Sequence, residues 1–326
     1  MKVATHPGSF HADDVFAVAT LRLAFGDDFE VIRTRDPEEL ERADMRVDVG
    51  MRYDPESGDF DHHQAGRAGA RDNGILYASF GLVWREYGPR ICQGWRELAE
   101  RVDRTLVQGI DALDNGQPIA RPLLEDGARE MSMAGLIGGF NPAWDDDETS
   151  EDEAFASAVE FARGILEREI ASARAVLRAE KAVRQALRER DDERLLFLDR
   201  SMPWQRVIAE EAPEVLFVIY PKAGDWCAQA APRHQGEFDS KISFPKRWGG
   251  MRDEELQQAS GVADAVFCHP AHFFACARSR EGVLELVRKA IAEAERRKRR
   301  RRPARKRGDG HGRGRRSGRS RAKATA

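Results

Sequence analysis

Lys2-Val3-Ala4-Thr5-His6-Pro7-Gly8-Ser9-Phe10-His11-Ala12-Asp13-Asp14 follows Met1, and an apolar run at helical spacing occupies residues 15–25. A short β-forming segment, a glycine-bearing loop and an apolar helix pattern read as strand, turn and helix. Residues 31–34 and 45–49 are two more strand segments, the second ending at Gly50. Strands alternating with helices predict an α/β fold whose parallel sheet is flanked by helices. Residues 75–87 and 95–113 read as further helices by apolar period, and residues 141–153 as a polar, acidic surface break.

From residue 153 to about 190 one long helix is predicted. Phe155, Val159, Ala162, Leu166, Ile170, Ala173 and Leu177 recur at three- and four-residue spacing as a single stripe. Its length suits a connector packed against, or strung between, two domains. Apolar strand patterns return at residues 195–198, 215–220 and 226–230, and a last helix at 282–295. The expected organisation is a domain over 1–150, a connecting helix over 151–192, a smaller α/β C-terminal domain over 193–295 and a disordered basic tail over 296–326.

A chain of 326 residues with 41% apolar and 33% charged residues is long enough for two globular cores. No apolar run approaches the ~18 residues of a membrane-spanning helix, and the N-terminal stretch lacks the apolar core of a signal peptide. Four cysteines do not make a disulfide framework, so a reducing, cytoplasmic compartment without a membrane partner is expected. The net charge of -3 hides a division: residues 296–326 hold 16 Lys or Arg and one acid, Asp309, while the remainder carries 37 bases against 55 acids. Such a tail suits phosphate neutralisation on nucleic acid, or it is a solubilising extension.

Four of the eight histidines stand in the first 63 residues, each beside a predicted strand end. His6 and His11 bracket a loop that Gly8 lets turn tightly, and Asp13 heads the following helix. Asp48 in Val-Asp-Val-Gly50 is a carboxylate at the C-terminal end of a strand, the edge where open α/β sheets bind ligands. Asp61-His62-His63 follows, and then Asp111 and Asp114, three apart at a helix end before Asn115-Gly116. Singly, these are also helix-cap, turn or solvated-loop residues. Together they form a donor set of imidazole and carboxylate that suits Mn²⁺, Zn²⁺, Fe²⁺ or Co²⁺.

The triplet Asp61-His62-His63 resembles the signature of the DHH phosphoesterase superfamily. The opening Thr5-His6-Pro-Gly-Ser-Phe-His11-Ala-Asp13 is similar to its melanocyte-proliferating-gene (MYG) branch. So are Arg33-Thr34-Arg35-Asp36-Pro37, Asp48-Val49-Gly50, Tyr53-Asp54-Pro55, Phe217-Val218-Ile219-Tyr220 and Trp248-x-Gly250-x-Arg252-Asp253-Glu254. Residues 1 to about 290 are covered. The resemblance implies a two-domain phosphoesterase with a cleft and a pair of divalent ions, Mn²⁺ foremost, with Mg²⁺ also an option. By position, His6, His11 and Asp48 would bind one ion, and Asp13, Asp48, His62 and Asp114 the other, with Asp48 bridging. His63 would face the substrate, Asp61 would orient His62, and Asp111 would stand behind the ligands. Many superfamily members have Asp where this chain has His11, which makes the site less negative.

The implied activity is phosphodiester hydrolysis, in its sharpest form 3′-to-5′ exonuclease action on RNA or short oligonucleotides, with Asp13, Asp48 and His63 in the reacting centre. Rivals are a small-molecule phosphatase or pyrophosphatase, another metal-dependent hydrolase such as an amide hydrolase, and an RNA-binding or regulatory protein with a vestigial metal site. In the second half, Arg278 and Arg280 are candidates to grip phosphate or are plain surface charges. Trp248 is a base-stacking residue or a domain-interface anchor. Cys268, His269, His272 and Cys276 are a zinc set, or the two cysteines are buried strand residues.

Overall fold

The computed structural model describes residues 1–120, 130–234 and 239–301. It divides into two compact units, Met1–Ala182 and Val183–Ala326.

The first unit is built on β1 (Lys2–Thr5), α1 (Ala12–Phe25), β2 (Glu30–Arg33), α2 (Pro37–Arg42), β3 (Met45–Val47), β4 (Tyr53–Asp54) and β5 (Asp59–Phe60). The sheet order is β2-β1-β3-β5-β4, parallel except for the antiparallel edge strand β4. Because β1 pairs with β2 on one side and β3 on the other, the chain reverses its direction of travel across the sheet at β1. Such a switch point opens a crevice beyond the carboxyl ends of the strands. His6 directly follows β1, Asp48 directly follows β3 and Asp61 directly follows β5.

Helices α3 (Ser79–Ile91), α4 (Arg96–Val102), α5 (Gln108–Asp114), α6 (Met133–Gly138) and α7 (Glu151–Glu189) complete the unit, with α7 running past its boundary. Residues 96–114 are one helical stretch with a π-helical turn at Asp103–Val107 between α4 and α5. Helix α1 is buried from Ala12 to Leu21, as expected of a helix covered by neighbours on every side. Helix α3 starts four residues later than its apolar period suggests, because its first N–H groups are capped from a distance by Asp13. The stripe from Phe155 to Leu177 lies in the core of this unit. The compact unit therefore ends at Ala182 rather than at residue 150, since burying that stripe joins most of the long helix to the first core.

The second unit contains β6 (Leu195–Phe197), α8 (Gln205–Glu211), β7 (Phe217–Lys222), β8 (Asp225–Ala230), α9 (Asp253–Ser260), β9 (Ala265–Cys268), β10 (Phe274–Ala277) and α10 (Arg280–Arg301). Its sheet order is β6-β7-β8-β10-β9, antiparallel apart from β6 with β7. Helix α10 extends to Arg301, so residues 296–301 are helical rather than disordered. Arg and Lys are good helix formers, and Arg297 pairs with Glu293 one turn back. The rest of the predicted tail, 302–326, lies outside the described residues.

Two readings of this half need correction. Cys227 and Cys276 stand directly opposite each other on β8 and β10 and form a disulfide, where no pairing was expected. Antiparallel neighbours bring side chains within a few ångströms whatever their separation in sequence, here 49 residues. Cys276 is thus unavailable to zinc, and Cys268 is a buried thiol whose pKa burial pushes up to about 12. Trp248 is only 1% exposed and packs in the core of its own unit with Phe244, so its ring is not free to stack on a base. Among the described residues, no helix is long and apolar enough to cross a membrane.

Candidate metal centre

The carboxyl edge of the first sheet gathers residues spread over more than a hundred positions. Three overlapping groups have ligand atoms within 4.8 Å of one another: His6, His11 and Asp48; Asp48, His62 and His63; Asp13, His62 and Asp114. Asp48 belongs to two of them and His62 to two. His62 Nε2 lies 3.4 Å from Asp48 Oδ1 and 3.1 Å from Asp114 Oδ2, and His6 Nε2 lies 3.4 Å from Asp48 Oδ2. The backbone of Asp48 has φ 55°, a left-handed conformation that costs an L-residue about 1–2 kcal/mol. Strain of that kind persists where the surroundings demand one side-chain direction.

Neighbouring residues lock the donors in place. Arg33 on β2 reaches back to donate to the Gly8 carbonyl, and its guanidinium lies 5.1 Å from the Phe155 ring at the start of α7. Asn141 clamps the same loop, accepting from Phe10 N–H at 2.9 Å and donating to Phe10 C=O at 3.0 Å. Asp14 accepts from His11 N–H at 2.8 Å and places its other oxygen 3.3 Å from His6 Nε2. Asp13 accepts from the N–H groups of Ser79 and Phe80 at 2.9 and 2.7 Å. The hydroxyl of Ser79 lies 3.2 Å from Asp48 Oδ1.

The electrostatics fit a cation. Asp13, Asp14, Asp48 and Asp111 are all buried. Burial, reinforced by Asp48, Asp114 and Asp111, drives the Asp13 pKa well above the carboxylate range. Burial, opposed by His6, lifts Asp14 to about 7. For Asp48 burial pulls upward, but hydrogen bonds from His6 and His62 win and hold it below its ordinary value. Its hydrogen bond with Asp48 outweighs burial and raises His6 to about 9. Burial alone would lower His62, yet Asp114 and Asp48 carry it to about 11. In the absence of a cation, protons thus hold together a nest of carboxylates. The contacts of the buried His62 Nε2 with Asp48 and Asp114, at 3.4 and 3.1 Å, and that of Asp14 Oδ2 with His6 are close but poorly directed as hydrogen bonds, an arrangement compatible with donors converging on an ion.

Asp114 converges on this cluster, whereas Asp111 turns away. The Asp111 carboxylate accepts from Gly81 N–H at 2.9 Å and lies 2.8 Å from Arg71 Nη1, and burial, against the pull of Arg71, raises it to about 7. Asp61 requires a correction. Its Oδ1 lies 2.8 Å from His63 Nδ1 and its Oδ2 accepts from Met51 N–H, so it orients His63 rather than His62. Having accepted the His63 N–H as well, that carboxylate is folded back over residue 63, and His62 meets Asn115 instead, at 3.3 Å. Arg278 and Arg280 lie in the second unit, where the Arg280 guanidinium sits 4.4 Å from the Phe197 ring.

A cavity of about 660 Å³ opens on the cluster, lined by His6, His11, Asp48, His63 and Asp114 and also by Arg35. Sequence reasoning gave no role to Asp14, Ser79, Asn115 or Arg35. The signals that could have pointed to them are the position of Asp14 beside Asp13, that of Asn115 beside Asp114, and the place of Arg35 in the MYG-like stretch Arg33–Pro37.

Fold and site together define an α/β protein with a histidine–aspartate cluster that could hold metal at the switch point of a parallel sheet. The chain belongs to the family described as "Uncharacterised protein family (UPF0160)", MYG1_exonuc, whose model matches residues 2–291. It is similar to "MYG1 protein YER156C" of Saccharomyces cerevisiae, with 32% identity covering 89% of this chain and 96% of that one. It is also similar to "MYG1 exonuclease" of Homo sapiens, with 29% identity covering 90% and 86%. Among solved structures it matches RecJ in complex with Mg²⁺ from Thermus thermophilus, at 15% identity and a TM-score of 0.28. It spans half of that chain, and so loose a likeness carries no weight here.

Proposed function

We propose that the chain is a divalent-metal-dependent phosphodiesterase that acts as a 3′-to-5′ exonuclease on RNA. The observation that carries this reading is the sharing of Asp48 and His62 among three ligand groups, a donor set laid out for two neighbouring cations. The name "MYG1 exonuclease" borne by the human relative points the same way. His6, His11 and Asp48 would hold one ion, and Asp13, Asp48, His62 and Asp114 the other. Several imidazoles among the carboxylates favour Mn²⁺ over Mg²⁺. Bound there, such ions neutralise phosphoryl oxygens and make a water nucleophile available near neutral pH.

The protein's own residues supply the rest. The side chain of His63 is 49% exposed, and with Nδ1–H given to Asp61 it is the Nε2–H of the imidazolium form that would donate to the substrate phosphate. Asp61 orients the ring and its charge complements that protonated form. The basic run over 296–326 supplies phosphate attraction that an otherwise acidic chain lacks.

The test is product analysis on end-labelled RNA with added manganese, beside pyrophosphate and an unlabelled dinucleotide, using wild type and Asp48→Asn. Stepwise release of mononucleotides from the 3′ end, lost in the variant, is expected. Turnover of pyrophosphate alone would overturn the reading in favour of a small-molecule phosphatase.

A further inference from the structure

Among the described residues, Arg35 is the one arginine or lysine lining the cavity over the candidate metal centre. Its side chain is exposed and pairs with no carboxylate among the described residues, although Asp48, Asp61 and Asp114 line the same space. The chain on either side of it is pinned. Thr34 N–H donates to Thr5 C=O at 2.8 Å, and Asp36 spends its carboxylate on the first N–H groups of α2. A solvent-facing guanidinium on so fixed a loop, beside an acidic cluster it does not neutralise, is poised for an anion that arrives with the substrate.

The sheet order tells which anion. Arg35 follows β2, whereas His6 follows β1 and Asp48 follows β3, and β1 lies between the other two. With neighbouring strands about 4.8 Å apart, the Arg35 loop stands roughly one strand spacing from the His6 loop and two from Asp48. A phosphate held at Asp48 and His62 is thus displaced sideways from Arg35 by a distance on the order of one nucleotide step. Leu40, Val49 and the 62% exposed Met51 supply apolar surface in the same cavity for the sugar or base of that nucleotide.

We propose that Arg35 is a substrate-positioning residue that binds the phosphate next to the scissile one, and so selects polynucleotides over substrates with a single phosphate. This rests on the phosphodiesterase reading above. It gives a planar, permanently charged fork to a non-reacting phosphate, which guanidinium geometry matches.

The experiment compares the manganese-loaded full chain and its Arg35→Ala and Arg35→Lys variants on a dinucleotide and on the same dinucleotide phosphorylated at its 5′ or its 3′ end. Metal content is measured in parallel. Wild type should prefer one phosphorylated form. Arg35→Ala should erase that preference through KM, by about 10- to 100-fold, at unchanged metal content, and Arg35→Lys should restore part of it. Arg35→Ala retaining the preference, losing equally on all three substrates, or losing metal would overturn the proposal alone, as would a wild type with no preference. A wild type that cleaves none of the diesters would overturn the phosphodiesterase reading and this proposal with it.

Discussion

The carboxylate of Asp13 accepts the main-chain N–H of Phe80 at 2.7 Å, 67 positions further along the chain. One residue therefore caps α3 and joins His62 and Asp114 in a ligand group. The two roles come apart on substitution. Asp13→Asn keeps an acceptor for the helix and removes a buried charge that its surroundings disfavour. The metal-free variant should melt at or above the wild-type temperature, but added manganese should raise its Tm less than it raises that of the wild type, because the His6–His11–Asp48 group is left intact. Asp13→Ala should lose the cap as well, about 1 kcal/mol. Calorimetry with and without manganese checks both, and a variant stabilised by the metal as strongly as wild type would remove Asp13 from the ligands.

Metal binding should release protons. His6 at about 9 and His62 at about 11 are both protonated at neutral pH without a cation, and ligation requires neutral rings. In the metal-free protein the stability held in these raised pKa values is fully present below the ordinary histidine value. It is lost as pH climbs through about 9 and then about 11. Apparent metal affinity should climb with pH over the neutral range, about tenfold per unit for each proton displaced. Titration calorimetry in buffers of different ionisation enthalpy counts those protons, and a count of zero would contradict the arrangement.

Arg71 braces α5, the helix that ends at Asp114, from behind. Its guanidinium takes Asp103 through Nε at 3.0 Å and Nη2 at 2.7 Å, and lies 2.8 Å from the fully buried Asp111. Arg71→Ala should cost about 3–5 kcal/mol by stranding buried carboxylate, and Asp111→Asn should recover part of that loss in the double variant. Denaturant titration of the three proteins measures this, and strict additivity would deny the coupling.

The cross-strand disulfide makes a prediction for the second unit. Replacing Cys227 and Cys276 together by alanine should lower stability by roughly 2–4 kcal/mol, given the 49-residue separation. Manganese affinity should not move, because the three ligand groups lie in the first unit.

Removing residues 296–326 deletes 16 basic residues. Binding to RNA should weaken, and the slope of log affinity against log salt should flatten. Fluorescence anisotropy across a salt series reads this directly, and an unchanged slope would leave the tail without a recruiting role.

Residue type marks the candidate ligands locally. His6, His11, Asp48 and Asp114 stand beside the ends of strands and helices that apolar period delineates, whereas no such pattern marks the two-residue strand before Asp61-His62-His63. What the linear order could not show was partnership. The period of residues 75–87 hides the true start of α3 because its cap, Asp13, is supplied from another helix. The carboxylate of Asp61 serves His63 and Met51 rather than His62, because a tight turn and not sequence adjacency decides which ring it meets. Cys227 and Cys276 pair because sheet register sets them opposite. Arg35 comes to face the metal centre only once β2 lies beside β1. Residue type and local periodicity depend on chemistry within a few positions and are therefore readable from the chain. Distances between donors depend on strand order, which long-range packing decides.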